Sequence, residues 1–295
     1  MDIGRIIFEK GIEISHGEDG VWFYKSSPTK QSVANRAEVS KKYGVRPILL
    51  SIRIPPGDER KILWLFPTEG NKVLELEQTD LQQMAIDKDI PPIFQFNLNY
   101  IVGTVVYHCK RLAEIYSDIC RTFIQGPTYA LHKIDRAIFS GQFEAYYEFE
   151  ALITAATRAY DTTRHVLWRA FGGRGSVPSS FKKTLRLCDG IPIALDEQLH
   201  LSWARFGTKV KEYRDCIQHY VPIGGLVPAA RMVKLQGDIW STTLWIPYNP
   251  EARSHKEFKY DSELDALIYG WELTNEILEI VQAIVQTVPE QDSSQ

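Results

Sequence analysis

A chain of 295 residues with 44% hydrophobic and 12% aromatic residues can bury a sizeable core, in one large domain or two modest ones. That composition excludes extended disorder outside the two ends. A net charge of −3 excludes indiscriminate binding of nucleic acid over the whole surface.

Residues 1–70 read as strands. Positions 5–8, 21–24, 47–54 and 61–66 are short β-branched or aromatic runs, punctuated by Glu18-Asp19-Gly20 and Pro55-Pro56-Gly57-Asp58. The polar stretch 30–43 suits a short helix, and a weak helix is expected over 80–88, stopped by Pro91-Pro92. From Asn97 the pattern changes. Asn99 is placed to cap a helix running to about Phe123, which Gly126-Pro127 ends, and a short helix over 129–139 follows. Ser140-Gly141 introduces a long helix to about Phe171. Its stripe (Tyr146, Phe149, Ile153, Ala156, Tyr160, Thr163, Leu167) alternates spacings of three and four, the pattern of one helix face. Gly172-Gly173-Arg174-Gly175-Ser176 reads as a turn, because it follows a helix and lacks the Lys-Ser/Thr of a phosphate-binding loop.

The next helix is expected over 196–220, on the stripe Leu199, Trp203, Phe206, Val210, Tyr213, Ile217 and Tyr220. Pro222 disfavours a helical Val221 and ends it. Residues 229–248 read as a β-hairpin around Gly237-Asp238, and 262–288 as a final amphipathic helix. The predicted fold class is therefore α+β. A β-rich region covers 1–95, a helical domain 96–225, and a β-hairpin plus helix covers 226–295 and packs on the helical domain.

No apolar run approaches the roughly 20 residues of a membrane helix, and MDIGRIIFEKG lacks the order of a secretion signal, so no membrane association is expected. Cys109, Cys120, Cys188 and Cys216 are scattered and form no CxxC. They read as reduced thiols of a cytoplasmic protein, with no metal site and no cofactor expected. Charge is uneven. Residues 158–186 hold Arg158, Arg164, Arg169, Arg174, Lys182, Lys183 and Arg186 against Asp161 alone, whereas 261–292 hold eight acids and no Lys or Arg. The basic stretch reads either as solvated helix faces or as a groove for a phosphodiester backbone.

The expected 196–220 helix ends Lys211-Glu212-Tyr213-Arg214-Asp215-Cys216-Ile217-Gln218-His219-Tyr220. Four residues separate Arg214 from His219, and a small polar residue, Asp215, follows the arginine. This resembles the Arg-x4-6-His motif of the HEPN domain family. Trp203 upstream, Lys211 just before, and a preceding long helix with a basic end also fit. The resemblance spans roughly 97–221 and does not reach 1–95 or 225–295. The bare motif is not specific, since Arg158 and His165 make a second such pair. Placement at the end of an amphipathic helix and the following Asp215 distinguish the first.

The resemblance implies a HEPN-like helical bundle acting as a metal-independent endoribonuclease that leaves a 2′,3′-cyclic phosphate and a 5′-hydroxyl. It further implies a toxin or antiphage-defence effector, a homodimer with the motif helices at the interface, and an antitoxin or regulatory protein as partner. Arg214 would bind and stabilise the phosphate, since its planar fork of donors matches phosphate oxygens. His219 would be the acid–base group, histidine being the side chain that ordinarily titrates near neutrality. Asp215 would orient one of them. Lys211, Arg158, Arg164, Lys182, Lys183 and Tyr220 would hold RNA, and Asp161, Thr157 and Arg158, on the facing helix, would orient His219 or contact RNA. Five residues of a regular helix turn about 500° and rise about 7.5 Å, so Arg214 and His219 diverge by about 140° on one helix. Convergence needs a distorted last turn or a second copy. The plainer readings are ion pairs of Lys211 or His219 with Asp215, a core role for Tyr220, and a non-catalytic HEPN-like dimerisation, sensor or binding protein.

Overall fold

The computed structural model describes residues 12–17, 20–25, 45–54, 58–67, 86, 92–125, 142–224, 230–234, 239–260 and 264–288. Side chains are described at 86, 97–116, 119, 143–224, 244–260 and 264–288. The elements expected over 5–8, 30–43 and 129–139 lie outside these residues, as does all of 80–88 but Ile86.

Two long helices form the frame. Helix α1 runs Pro92–Gln125 and α2 runs Gln142–Ala170, and they pack along each other. Proline suits the first position of a helix, where its missing N–H costs nothing and its fixed φ is already helical. The helix therefore begins at Pro92, and Asn99 lies inside it rather than capping it. Every member of the predicted α2 stripe is buried, Thr163 included. Opposite it, α1 buries Leu98, Val102, Val105, Cys109, Leu112, Tyr116 and Ile119.

The last helix, here called α6, spans Ala266–Thr287. It is apolar nearly all round and buries fifteen residues, as a helix at the centre of a bundle must. It packs on α1 and α2. At Gly270 a Cβ would stand 2.7 Å from Leu152 Cδ2, so this crossing of α2 and α6 requires a glycine. Asp265 starts α6. Its carboxylate accepts from Ile268 N at 2.9 Å, from Leu244 N at 2.8 Å and from the Tyr116 hydroxyl at 3.1 Å. One buried side chain thus joins the cap of α6, the segment before it and the middle of α1.

Between α2 and α6 lie α3 (Phe181–Leu187), α4 (Ile193–Ser202) and α5 (Thr208–His219). The helix expected over 196–220 is interrupted. Trp203–Gly207 is wound wider than an α-helix, and both N and Oγ1 of Thr208 reach the carbonyl of Trp203. Glycine makes this possible: the Trp203 ring lies over Gly207, 2.2 Å from where a Cβ would be. Phe181 stacks on the same ring with centroids 5.2 Å apart. The expectation that Tyr220 is a core aromatic is corrected. Tyr220 is 48% exposed, because the helix ends at His219 and Tyr220 leaves helical geometry at φ −128°, ψ −75°. Phe206, in contrast, is buried against Tyr269. Phe206→Ala should cost about 3–5 kcal/mol of stability, read from the midpoint of urea denaturation.

Beside this body the backbone traces two ladders. Strands β1 (Ile12–Gly17) and β2 (Gly20–Lys25) pair antiparallel. Strands β3 (Val45–Ile54), β4 (Asp58–Pro67), β5 (Ala230–Lys234) and β6 (Ile239–Leu244) are ordered β3-β4-β6-β5, with β4 and β6 parallel at Lys61 and Ile62. This second ladder reaches α1 and α6 through β6. The α+β expectation is nonetheless corrected. The residues whose side chains are described are 75% helix, contain no whole strand and take most of their core from helices, with Leu244 and Ile246 added from the end of β6 and just beyond it. The β-branched runs of 1–70 dominate a reading by pattern, whereas the core among the residues with described side chains is built around α1, α2 and α6.

Candidate functional site

Two helix faces meet over a small pocket. From α2 come Thr157, Asp161 and Arg164, spaced by four and three residues and so on one face. From the turn into α5 come Gly207, Lys211 and Arg214, again spaced by four and three. Ser179 and Ser180, in the loop before α3, form a third wall, and Tyr160, Phe181 and Trp203 line the apolar part. The pocket encloses about 210 Å³. The widened turn contributes two of its lining residues, Trp203 and Gly207. Gly207→Ala should force the Trp203 ring out of place and cost about 1–3 kcal/mol, as overpacking does. Tryptophan fluorescence and thermal melting of the variant would register both effects.

The three basic side chains differ in what holds them. Arg164 is mostly buried. Its guanidinium donates to the Pro178 carbonyl, stands 3.4 Å from Asp161 Oδ1 and lies 3.3 Å from His165 Nε2. Burial and the Arg164 charge lower the pKa of His165. Arg164 therefore fastens the 172–180 loop onto α2. Gly172 and Gly175 of that loop have φ +81° and +77°, the left-handed region that glycine enters without penalty, so the segment is the turn expected. Arg214 pairs through Nη2 with Asp215 Oδ1 at 2.9 Å, while its Nε is buried with no hydrogen-bond partner among the described residues. Lys211 is exposed, and no hydrogen bond or ion pair occupies it among the described residues. Neutral donors complete the set. Ser180 Oγ accepts from Lys183 N at 3.3 Å, which leaves its hydroxyl hydrogen free to donate into the pocket.

Of the residues expected to act together, Lys211, Arg214, Arg164, Thr157 and Asp161 line this pocket, and Asp215 holds Arg214. His219 does not line it. It ends α5, exposed, with its ring edge-on to Tyr220 at 6.3 Å between centroids. Thr157 and Asp161 thus share the pocket with Arg214 and do not orient His219 of the same chain. Arg158 is exposed on α2, and Lys182 and Lys183 are exposed on α3, all outside the pocket lining. Tyr220 lies under the Arg253 guanidinium at 5.4 Å. Sequence reasoning missed Ser179, Ser180, Gly207 and Arg253. The Ser180 cap before Phe181-Lys182-Lys183 was readable as a helix start, but nothing local places it opposite Lys211.

Two half-buried carboxylates outside the pocket are engaged in the fold. Glu148 pairs with His108 between α2 and α1. Glu150, its pKa raised by burial, accepts from Ile223 N at 2.7 Å and fixes the chain after α5. Cys109, Cys188 and Cys216 are buried and free.

No family model matches the chain, and neither a curated protein nor a solved structure is similar to it. Among the described residues no helix is long and apolar enough to cross a membrane.

Proposed function

We propose that the protein is a HEPN-like endoribonuclease that cleaves RNA without a metal, as a homodimer in the cytoplasm. The observation that carries the reading is the pairing of Lys211 and Arg214 on one face of α5, over a pocket with hydroxyl donors on the far wall. RNA brings its own nucleophile. The 2′-oxygen attacks the adjoining phosphorus, the bond to the 5′-oxygen breaks, and the products are a 2′,3′-cyclic phosphate and a 5′-hydroxyl. One proton leaves the 2′-hydroxyl and one is delivered to the departing 5′-oxygen. His219 is the group assigned to that transfer. Arg214, oriented by Asp215, and Lys211 offset the charge that builds on the phosphate oxygens.

Arg214 and His219 of one chain diverge around the helix axis. The site is therefore assigned to two chains, with the second copy's His219 meeting the first copy's pocket. The toxin or antiphage-defence role, and an antitoxin or regulatory partner that restrains it, rest on the family resemblance alone. Buried free thiols suit a reducing cytoplasm.

A second reading, RNA binding without cleavage, is favoured by the Arg214–Asp215 pair and by the exposed position of His219 outside the pocket. Purified protein incubated with single-stranded RNA in excess EDTA decides between them. Cleavage with cyclic-phosphate ends is the expected result. Cleavage only on addition of Mg²⁺ or Mn²⁺ would overturn the mechanism, and RNA bound but uncut would leave the binding reading.

A further inference from the structure

Resting on the RNA reading above, we infer that the pocket between α2 and α5 takes one phosphodiester group of an unpaired strand, with Lys211 and Arg214 as its direct contacts and Arg164 as a positioning residue.

Charge sets the first limit. Lys211, Arg214 and Arg164 contribute three positive charges, and Asp161 and Asp215, paired with the two arginines, contribute two negative ones. One positive charge remains. That matches the single negative charge of a phosphodiester and not the several charges of a pyrophosphate or triphosphate. Size sets the second. About 210 Å³ lies below the roughly 300–1,000 Å³ of pockets that engulf drug-sized ligands, so a phosphate with part of its sugar fits and a longer segment does not.

An unmet donor points the same way. Arg214 Nε is buried, belongs to a pocket-lining residue and has no acceptor among the described residues. Native proteins leave few such groups without a partner, and an anionic oxygen beside Arg214 supplies one. The widened turn at Trp203–Gly207 is a further mark. Turns of this kind collect at functional sites, and here the one such turn among the described residues forms part of the pocket wall. The recess then selects the state of the strand. A duplex holds its phosphates on a fixed curve and cannot lower one between two helices without unpairing. A single strand can bend in. Arg164 acts from behind. Its bond to the Pro178 carbonyl sets where Ser179 and Ser180 stand, and both its terminal nitrogens are engaged, while its Nε, like that of Arg214, is buried with no hydrogen-bond partner among the described residues.

Fluorescence anisotropy with the full-length chain tests this, using a labelled single-stranded RNA, its duplex and a salt series. The single strand should bind more tightly than the duplex. Lys211→Ala should weaken binding about tenfold, as loss of a charged hydrogen bond does. It should also lower the slope of log affinity against log salt by about 0.7, the value for one phosphate of a single strand. Arg164→Ala should weaken binding with the wild-type slope retained, and Arg164→Lys should restore most of the loss. Equal binding of duplex, or an unchanged slope in Lys211→Ala, overturns the inference. RNA bound in this way but never cut removes the cleavage reading and leaves the inference standing. RNA cut with an unaltered KM in Lys211→Ala does the reverse. No RNA binding at all removes both.

Discussion

Asp265→Ala should lower the stability of the helical body by about 3–5 kcal/mol, near the top of what single substitutions do. The carboxylate is fully buried and serves donors from three places: Tyr116 on α1, Leu244 at the end of β6, and Ile268 in the first turn of α6. Truncation leaves two backbone N–H groups and a hydroxyl without their acceptor, each costing about 1–3 kcal/mol when desolvated, and removes a helix cap worth about 1 kcal/mol. These losses share one cavity, so they do not add in full. Tyr116→Phe should cost less. It removes one of the three donors and one acceptor, that of Leu267 N at 3.2 Å. Chemical denaturation followed by circular dichroism gives both values, and an Asp265→Ala protein as stable as wild type would show that the junction is held elsewhere.

The same residue predicts a pH effect. Burial raises the Asp265 carboxyl above its ordinary 3.8, outweighing the N–H donors that lower it. A group raised in the native state favours folding in its protonated form. Its contribution is complete below about 3.8 and is lost as pH rises through the native value. The amide introduced by Asp265→Asn does not titrate. The stability of wild type relative to that variant should therefore fall as pH rises through the window.

What was legible in the sequence follows from how local each cause is. The stripe from Tyr146 to Leu167 repeats every three or four residues with polar residues between, and periodicity alone places its face in the core. Residues 196–220 carry an equally regular stripe, yet the widened turn at Trp203–Gly207 is invisible there. Its cause is the Trp203 ring lying over Gly207, a contact across a turn and not a periodic feature. The start of α6 escaped for a related reason. Asp265 looks like an ordinary acid near a helix end, and its role comes from Tyr116, far away in sequence. The α+β class failed because β-branched runs signal extended backbone but say nothing about which elements bury the core. In the candidate site, the shared face of Lys211 and Arg214 and the divergence of His219 both follow from helix geometry. That Arg164 is spent on the Pro178 carbonyl does not, since it depends on how the 172–180 loop folds back.

His219→Ala and Arg214→Ala should each reduce RNA cleavage by about 10²–10⁴, the usual cost of losing a positioned acid–base group or a transition-state cation. Neither change opens the core. His219 is exposed, and Arg214 is partly exposed and, among the described residues, tied only to its neighbour Asp215, so melting should shift by less than the equivalent of about 1 kcal/mol. His165→Ala serves as the control. It belongs to the second Arg–His pair, is exposed on α2 and should keep most of the activity. The two inactive variants then test the shared site. If Arg214 of one chain works with the second copy's His219, a mixed dimer of His219→Ala and Arg214→Ala chains contains one intact site and one doubly defective site. Mixing and re-equilibrating the two proteins should therefore recover about a quarter of wild-type activity, because half the dimers are mixed and each has one working site of two. Inactive singles that stay inactive when mixed would place both residues in one chain's site. Active His219→Ala with inactive His165→Ala would mean that the other pair carries the chemistry. Variants that melt far below wild type would mark Arg214 and His219 as structural, and the cleavage reading would fall with them.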